Sequence, residues 1–365
     1  MLFRLQKEIR KMKINFVIPS TVLGGGVRVI FTYANYLTNK GHDVMVYVPK
    51  LFAWEDIQGG KINWKTSIAN SLKRGKKVKW FQCDFPITLA TRINDKYIRD
   101  ADVTIASAWY TAKNVSKLSP EKGKKAYFIQ GYEVCADGTD RNLVEATYTL
   151  GMDNITIAKW LDDIVLKCSG KHTTIILNGV ADNEIFQAEK RLNNPKTVIM
   201  LGNMSAHKGT NNGIAILKEL QKKYKLRVIV YASTPSAQIP DSFEFYCQPQ
   251  REKLMQLYTQ SDICLFPSLR EGWGLIVTEA MAHQCAVVGN NTGALSEIGI
   301  NGENAVIAED FDPNTLKACL ERVICNDELL RKIQSGGLKT ALHLKNSIQF
   351  LKFENHLKSL VGEKK

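Results

Sequence analysis

The sequence predicts an α/β protein of two doubly wound domains. Apolar runs of strand length alternate with segments of helical period almost from end to end, the pattern of parallel strands joined by crossover helices. The alternation breaks once, at the polar stretch Ala181–Lys196, and then restarts in the same form. A length of 365 residues suits two or three domains. With 44% hydrophobic and 23% charged residues, the chain has the balance of a globular protein with sizeable cores, not of a disordered or repeat protein.

In the first half, strands are expected at Ile14–Ile18, Val44–Val48, Val78–Phe81, Val103–Ala106, Ala126–Ile129, Ile155–Ile157 and Thr174–Leu177. Helices are expected at Val27–Leu37, Ile87–Arg99, Leu143–Leu150 and Lys159–Lys167. Beyond Asn193-Asn194-Pro195, strands are expected at Val198–Leu201, Leu226–Val230, Phe243–Tyr246, Ile263–Phe266 and Ala286–Val288, with a helix over Thr210–Lys222. Asp312-Pro313 reads as a helix start, Asp as cap and Pro in the first turn. The last helix, Lys345–Val361, places Ile348, Leu351, Leu357 and Leu360 on one apolar side that must pack on something. The domains implied are 1–183, 196–344 and a C-terminal helix, 345–365, returning to the first domain.

Basic residues exceed acidic ones by 13, and residues 1–183 hold 27 Lys and Arg against 17 Asp and Glu, so most of the surplus lies in the first domain. It is densest at Lys61, Lys65, Lys73, Arg74, Lys76, Lys77 and Lys79, with no acidic residue between Lys61 and Lys79. Such a run attracts anionic surfaces, each cation near a negative membrane contributing about 1 kcal/mol. A solvated, lysine-rich loop is the alternative. No recognition motif or aromatic-interleaved basic patch accompanies it, so nucleic acid is not an expected partner. The eight cysteines form no CxxC pair and have no His at zinc-ligand spacing. Several lie in apolar runs, as in Cys285-Ala286-Val287-Val288, where a thiol acts as a small hydrophobe, which fits a reducing cytoplasm. No run reaches the ~18 apolar residues of a membrane span, and the start MLFRLQKEIRKMK is too charged for a signal-peptide core. A cytoplasmic chain is expected, with peripheral contact to the inner face of the membrane as its furthest reach.

Two glycine-rich turns carry chemistry. Leu23-Gly24-Gly25-Gly26-Val27 follows the first strand and opens the first helix. Its glycines let a ligand approach the backbone, and the helix behind them offers free N–H groups and a partial positive charge. Read as a dinucleotide fingerprint it fails, because the third glycine position is Val29 and the second strand ends at Val48-Pro49-Lys50 with no acid for a ribose. A tight turn without ligand stays open. More specific is Arg270-Glu271-Gly272-Trp273-Gly274-Leu275-Ile276-Val277-Thr278-Glu279-Ala280-Met281-Ala282 after the strand Ile263–Phe266. Glu279 stands about one turn inside the helix that begins at Leu275, and Glu271 in the loop before it. Two carboxylates beside an anion site are unfavourable unless each finds hydroxyls or cations, and a sugar and a ribose supply hydroxyls.

This segment resembles the E-x7-E motif of retaining glycosyltransferase family 4, which has the GT-B fold of two Rossmann-like domains facing across a cleft. The glycine loop, Asp102–Ala106, Ile157–Trp160, Asn178–Val180 and Val288–Ala294 with Glu297 fall in the family's order, so the resemblance spans most of the chain. It implies a retaining, metal-independent transfer of a sugar from a nucleotide-sugar donor to a glycan or lipid-linked acceptor, in surface polysaccharide assembly. No metal and no other cofactor is implied. On the donor side it implies Glu279 at the ribose, Glu271 as a catalytic residue at the donor sugar, and the Gly274–Leu275 backbone at the diphosphate. Lys208, in Gly202-Asn203-Met204-Ser205-Ala206-His207-Lys208-Gly209, matches the catalytic Lys that offsets charge on the leaving diphosphate. Asn203 and Gly25 join the donor side, and Gly26 and Gln130 the acceptor and sugar side. Asn203 departs from the Arg usual in the family, with Arg251 or Lys253 as substitutes. Gln130 departs from the usual His, as in rhamnosyltransferase-like members, and points to a 6-deoxy donor. Two other readings stay open: an inactive GT-B partner of another transferase, and a sugar-nucleotide epimerase of the same fold.

Overall fold

A computed structural model describes residues 11–50, 78–135, 140–235 and 238–362. The first ten residues and the basic run from Lys61 to Lys77 lie outside the described residues. The chain forms two compact units, residues 1–176 with 350–365, and residues 177–349.

Among the described residues the first unit holds a parallel sheet of β1 (Lys13–Val17), β2 (Asp43–Pro49), β3 (Ile87–Ala90), β4 (Val103–Ala106), β5 (Lys124–Ile129), β6 (Asp153–Thr156) and β7 (Thr174–Ile175). Their order is β3-β2-β1-β4-β5-β6-β7. It reverses between β1 and β4, where the loops after these strands leave to opposite faces and open a crevice at the carboxyl ends.

The expected helix Ile87–Arg99 is not formed. Ile87–Ala90 is instead the edge strand, in parallel register with Val46–Pro49. The expected strand Val78–Phe81 is irregular, and its aromatics anchor it: the rings of Trp80 and Phe81 each lie 5.6 Å from Phe31, on the first helix, Gly25–Asn39.

The second unit holds β8 (Thr197–Leu201), β9 (Arg227–Ala232), β10 (Glu244–Cys247), β11 (Ile263–Phe266), β12 (Ala286–Asn290) and β13 (Ala305–Ala308), all parallel in the order β10-β9-β8-β11-β12-β13. Val198, Met200, Val228, Val230, Ile263 and Leu265 pack under Leu217, Leu220, Leu316, Leu320 and Ile333 from the covering helices. Strands covered on both faces read as continuous apolar runs, which is why this sheet is legible in the sequence. Asp312 caps the helix Pro313–Ile324, its carboxylate accepting from Asn314 N–H at 2.7 Å.

The polar stretch Ala181–Lys196 is tied to the second unit and does not run free as a linker. Lys190 Nζ donates to the carbonyls of His283, at 2.7 Å, Ser261 and Tyr258, and Phe186 N–H donates to Ala282 at 2.9 Å.

The last helix, Asn346–Leu360, buries Gln349, Phe353, Glu354 and Leu357. This corrects the expected apolar side, since Ile348 and Leu351 are exposed. Phe353 packs at 4.6 Å from Tyr33, 5.1 Å from Phe128 and 6.4 Å from Phe16, ring centre to ring centre. Phe353→Ala is expected to destabilise the first unit by about 3 to 5 kcal/mol, read by urea unfolding. A loss below about 1 kcal/mol would show that this helix is not part of that core.

Candidate active site

In the second unit the strand order reverses between β8 and β11, so their loops lie side by side at the carboxyl end of the sheet. Gly209 makes that closeness possible. Its φ is +62°, and a Cβ there would lie 2.1 Å from the Pro267 carbonyl oxygen. Leu269 N–H donates across to His207 O at 2.8 Å. Asn290, buried at the end of β12, donates its amide to Pro267 O at 3.0 Å and Ser268 O at 3.2 Å. With both loops fixed, Lys208 Nζ meets Glu271 Oε2 at 2.7 Å, and Ser268 Oγ donates to Glu271 Oε1 at 2.9 Å. The Lys208 and Glu271 side chains are 20% and 8% exposed, so the pair is reachable yet mostly out of water.

The turn that follows aims a helix N-terminus at the same place. Gly274 has φ +83°, and a Cβ there would lie 2.9 Å from the Phe266 ring. The helix Leu275–Ala282 that it opens has no side-chain cap and no acid in its first turn. Uncapped N–H groups and the partial positive charge there suit a phosphate.

Glu279 is buried one turn inside. Its Oε1 accepts from Arg251 Nη1 at 2.9 Å and its Oε2 from the Tyr258 hydroxyl at 3.2 Å. The Tyr258 and Tyr231 hydroxyls lie 2.6 Å apart, so Tyr231 supplies the next proton in the chain. Arg251 also forks onto Glu184 through Nε, at 2.7 Å, and Nη2. Burial opposes the guanidinium charge, but Glu279 and Glu184 outweigh it and hold the Arg251 pKa above the ordinary range. Burial pushes the Tyr258 hydroxyl far up, so it remains a donor. The problem of two carboxylates beside an anion site is thus solved by cations, Lys208 for Glu271 and Arg251 for Glu279.

The structure therefore gathers Asn203, Lys208, Glu271, Gly274, Leu275 and Glu279 in the second unit. Asn203 shapes its loop, accepting from Ser205 N–H at 3.0 Å through its side chain. The two substitutes named for an Arg at that position have contacts of their own. Arg251 is committed to Glu184 and Glu279, and Lys253 sits over the Tyr246 ring at 5.2 Å. Glu184, Tyr258 and Ser268 are site residues that no local pattern singles out, and Arg251, named only as a substitute cation, is the partner of Glu279.

Gly25, Gly26 and Gln130 lie in the first unit. Gly24 is extended, at φ −163°, and neither Gly25 nor Gly26 has a positive φ. A Cβ on Gly26 would meet Gln130 Cβ and Cγ at an ordinary 3.6 and 3.7 Å. A strained turn therefore does not account for these glycines, and their effect is to leave room over the backbone. Both polar atoms of the Gln130 amide are buried without a hydrogen-bond partner among the described residues.

The region that carries this site is similar to known proteins. Residues 181–340 match the family described as Glycosyl transferases group 1. The match lies within the second unit. The chain is 24% identical over 188 residues to an uncharacterized glycosyltransferase of Methanocaldococcus jannaschii, covering 50% of this chain and 52% of that protein. It is 27% identical over 216 residues to the capsular polysaccharide biosynthesis glycosyltransferase CapM of Staphylococcus aureus, covering 50% of this chain and 56% of the relative. The chain thus spans about half the length of these curated relatives. Its fold is similar to that of Anabaena HepE, solved in complex with UDP-glucose, with TM-score 0.73 and 14% identity over 95% of this chain and all of that one. Two Rossmann-like domains with parallel sheets make this the GT-B fold of the glycosyltransferases it resembles.

Arg251→Ala leaves the buried Glu279 and the partly buried Glu184 without this cation. We expect a loss of about 3 kcal/mol in thermal or urea unfolding, partly recovered by adding Glu279→Gln. No loss, or no recovery, would contradict the charge pairing.

Proposed function

We propose that this protein moves a sugar from a nucleoside-diphosphate sugar to a hydroxyl acceptor with retention at the anomeric carbon and without a metal ion. The observation that carries the reading is the Lys208–Glu271 contact at the mouth of an uncapped helix. The group 1 match, HepE with its UDP-glucose and CapM with its capsular polysaccharide support it.

In this reading the diphosphate takes the free N–H groups at Gly274 and Leu275. Lys208 then exchanges one anion for another, moving from Glu271 to the phosphate oxygens where charge grows as the glycosidic bond breaks. Glu271, relieved of its cation, accepts from the sugar hydroxyls. Glu279, fixed by Arg251 and Tyr258, accepts from the ribose. The helix dipole and Lys208 supply the positive charge that a metal supplies in other transferases. The acceptor and sugar side falls to the first unit, at Gly26 and Gln130, with Gly25 beside them on the donor side. A neutral amide at Gln130 suits a 6-deoxy donor, and the basic run Lys61–Lys79 suits an acceptor carried on an anionic membrane at its cytoplasmic face.

With the nucleotide sugar that a binding screen selects, Lys208→Ala is expected to lower kcat about 10² to 10³-fold with little change in donor affinity. Glu279→Ala is expected to weaken donor binding tenfold or more. Chelation with EDTA is expected to leave the wild-type rate unchanged. Unaltered kinetics in both variants would refute the site, and loss of turnover in EDTA would refute metal independence.

A further inference from the structure

The site at the carboxyl end of the second sheet is short of positive charge. Its two paired cations face three carboxylates, Lys208 on Glu271 and Arg251 on Glu184 and Glu279, a formal net charge of minus one. The helix N-terminus behind them adds only about half a positive charge. An arriving diphosphate would be repelled on balance unless a further cation is at hand. The loops and first helical turns that follow β8 to β13 hold four Lys or Arg side chains, Lys208, Arg251, Lys253 and Arg270. Arg251 is engaged by two carboxylates, and Lys253 lies over the Tyr246 ring. Arg270 is exposed, and its guanidinium has no hydrogen bond or ion pair among the described residues.

Its backbone stands where such a cation is needed. Arg270 N–H donates to His207 O at 3.3 Å, one residue from Lys208, and the next residue along its own loop is Glu271. Glu271 in turn lies against the helix mouth, since a Cβ on Gly274 would stand 3.6 Å from its Cγ. Arg270 is thus one residue from each member of the Lys208–Glu271 pair. A guanidinium is always charged, forks onto two phosphate oxygens at once, and rides a long, flexible stem that can lie over its neighbours.

We propose that Arg270 is a further catalytic residue, which folds over the helix mouth when the donor binds and forks onto the outer phosphate, opposite Lys208. This rests on the glycosyltransferase reading given above. The choice of phosphate follows from Glu271, which takes the sugar in that reading and adjoins Arg270 in the chain. With Arg270 engaged, cations and carboxylates balance, and the partial charge of the helix is left for the ligand. Negative charge grows on the outer phosphate as the sugar departs and the electron pair of the broken bond stays with the phosphate oxygen, so a cation held there favours the transition state.

The test uses the full chain, titrated by calorimetry with UDP, GDP, ADP and dTDP and with UMP, GMP, AMP and dTMP, which lack the outer phosphate. For the diphosphate that the wild type binds, Arg270→Ala is expected to weaken affinity about tenfold, while affinity for the matching monophosphate changes less than about twofold. Arg270→Glu, which reverses the charge, is expected to weaken the diphosphate about tenfold further. The melting temperature is expected to stay unchanged in Arg270→Ala, because the side chain has no partner to lose. An unchanged diphosphate affinity in Arg270→Ala overturns the proposal. So does an equal loss for monophosphate and diphosphate, or an Arg270→Glu chain that binds the diphosphate as well as Arg270→Ala does. If Arg270→Ala does not fold, Arg270→Gln, which keeps most of the stem, takes its place and is read against the same outcomes. A wild-type chain that binds none of the nucleotides overturns the glycosyltransferase reading and the assignment of Arg270 with it.

Discussion

The donor half of this protein depends on one close approach, the loop after β8 lying against the loop after β11. Parallel strands at a switch point send their connections to opposite faces, so nothing in the sheet itself holds these loops together. Gly209 does, by letting its backbone touch the Pro267 carbonyl where a Cβ would lie at 2.1 Å. Asn290 fixes the far side of the same loop. Only with that distance set does the ammonium of Lys208 reach Glu271 and stand at the mouth of the helix Leu275–Ala282.

The electrostatics follow from that geometry. A mostly buried carboxylate is costly unless paired, and each one here has a cation: Lys208 for Glu271, and Arg251 for Glu279 and Glu184. The two pairs differ in what they permit. Arg251 is held on three sides by two carboxylates and keeps Glu279 in one position. Lys208 is a point charge on a flexible stem with one carboxylate partner, so an arriving diphosphate can share or capture it. A rigid anchor and an exchangeable cation in one site match what a nucleotide sugar requires, a fixed ribose and a leaving group whose charge changes during the reaction.

How much of this was legible in the sequence follows from locality. Strands buried on both faces announce themselves as apolar runs, and β11 falls at Ile263–Phe266 as expected. The edge strand Ile87–Ala90 reads as helix because Leu89, Ile93 and Tyr97 recur every four residues, and pairing with β2 decides the matter from outside the segment. The last helix was given the wrong face because an apolar tally overlooks Gln349 and Glu354, which are buried. Glu271, Glu279 and Lys208 stood out from their glycine-rich surroundings. Glu184 and the helix Arg251–Thr259, which carries both Arg251 and Tyr258, are far apart in sequence, and only the folded chain brings them together. Nor does the letter G distinguish Gly274, whose backbone is left-handed, from Gly26, whose backbone is not.

The central claim, that the Lys208–Glu271 pair and the helix mouth behind it form a diphosphate-sugar site, is tested most directly by a crystal structure of the whole chain with an intact nucleotide sugar. The account requires phosphate oxygens within hydrogen-bonding distance of Lys208 Nζ and the Gly274–Leu275 N–H groups, with ribose hydroxyls on Glu279. A nucleotide bound elsewhere, with Lys208 still on Glu271 and the helix mouth empty, would contradict it.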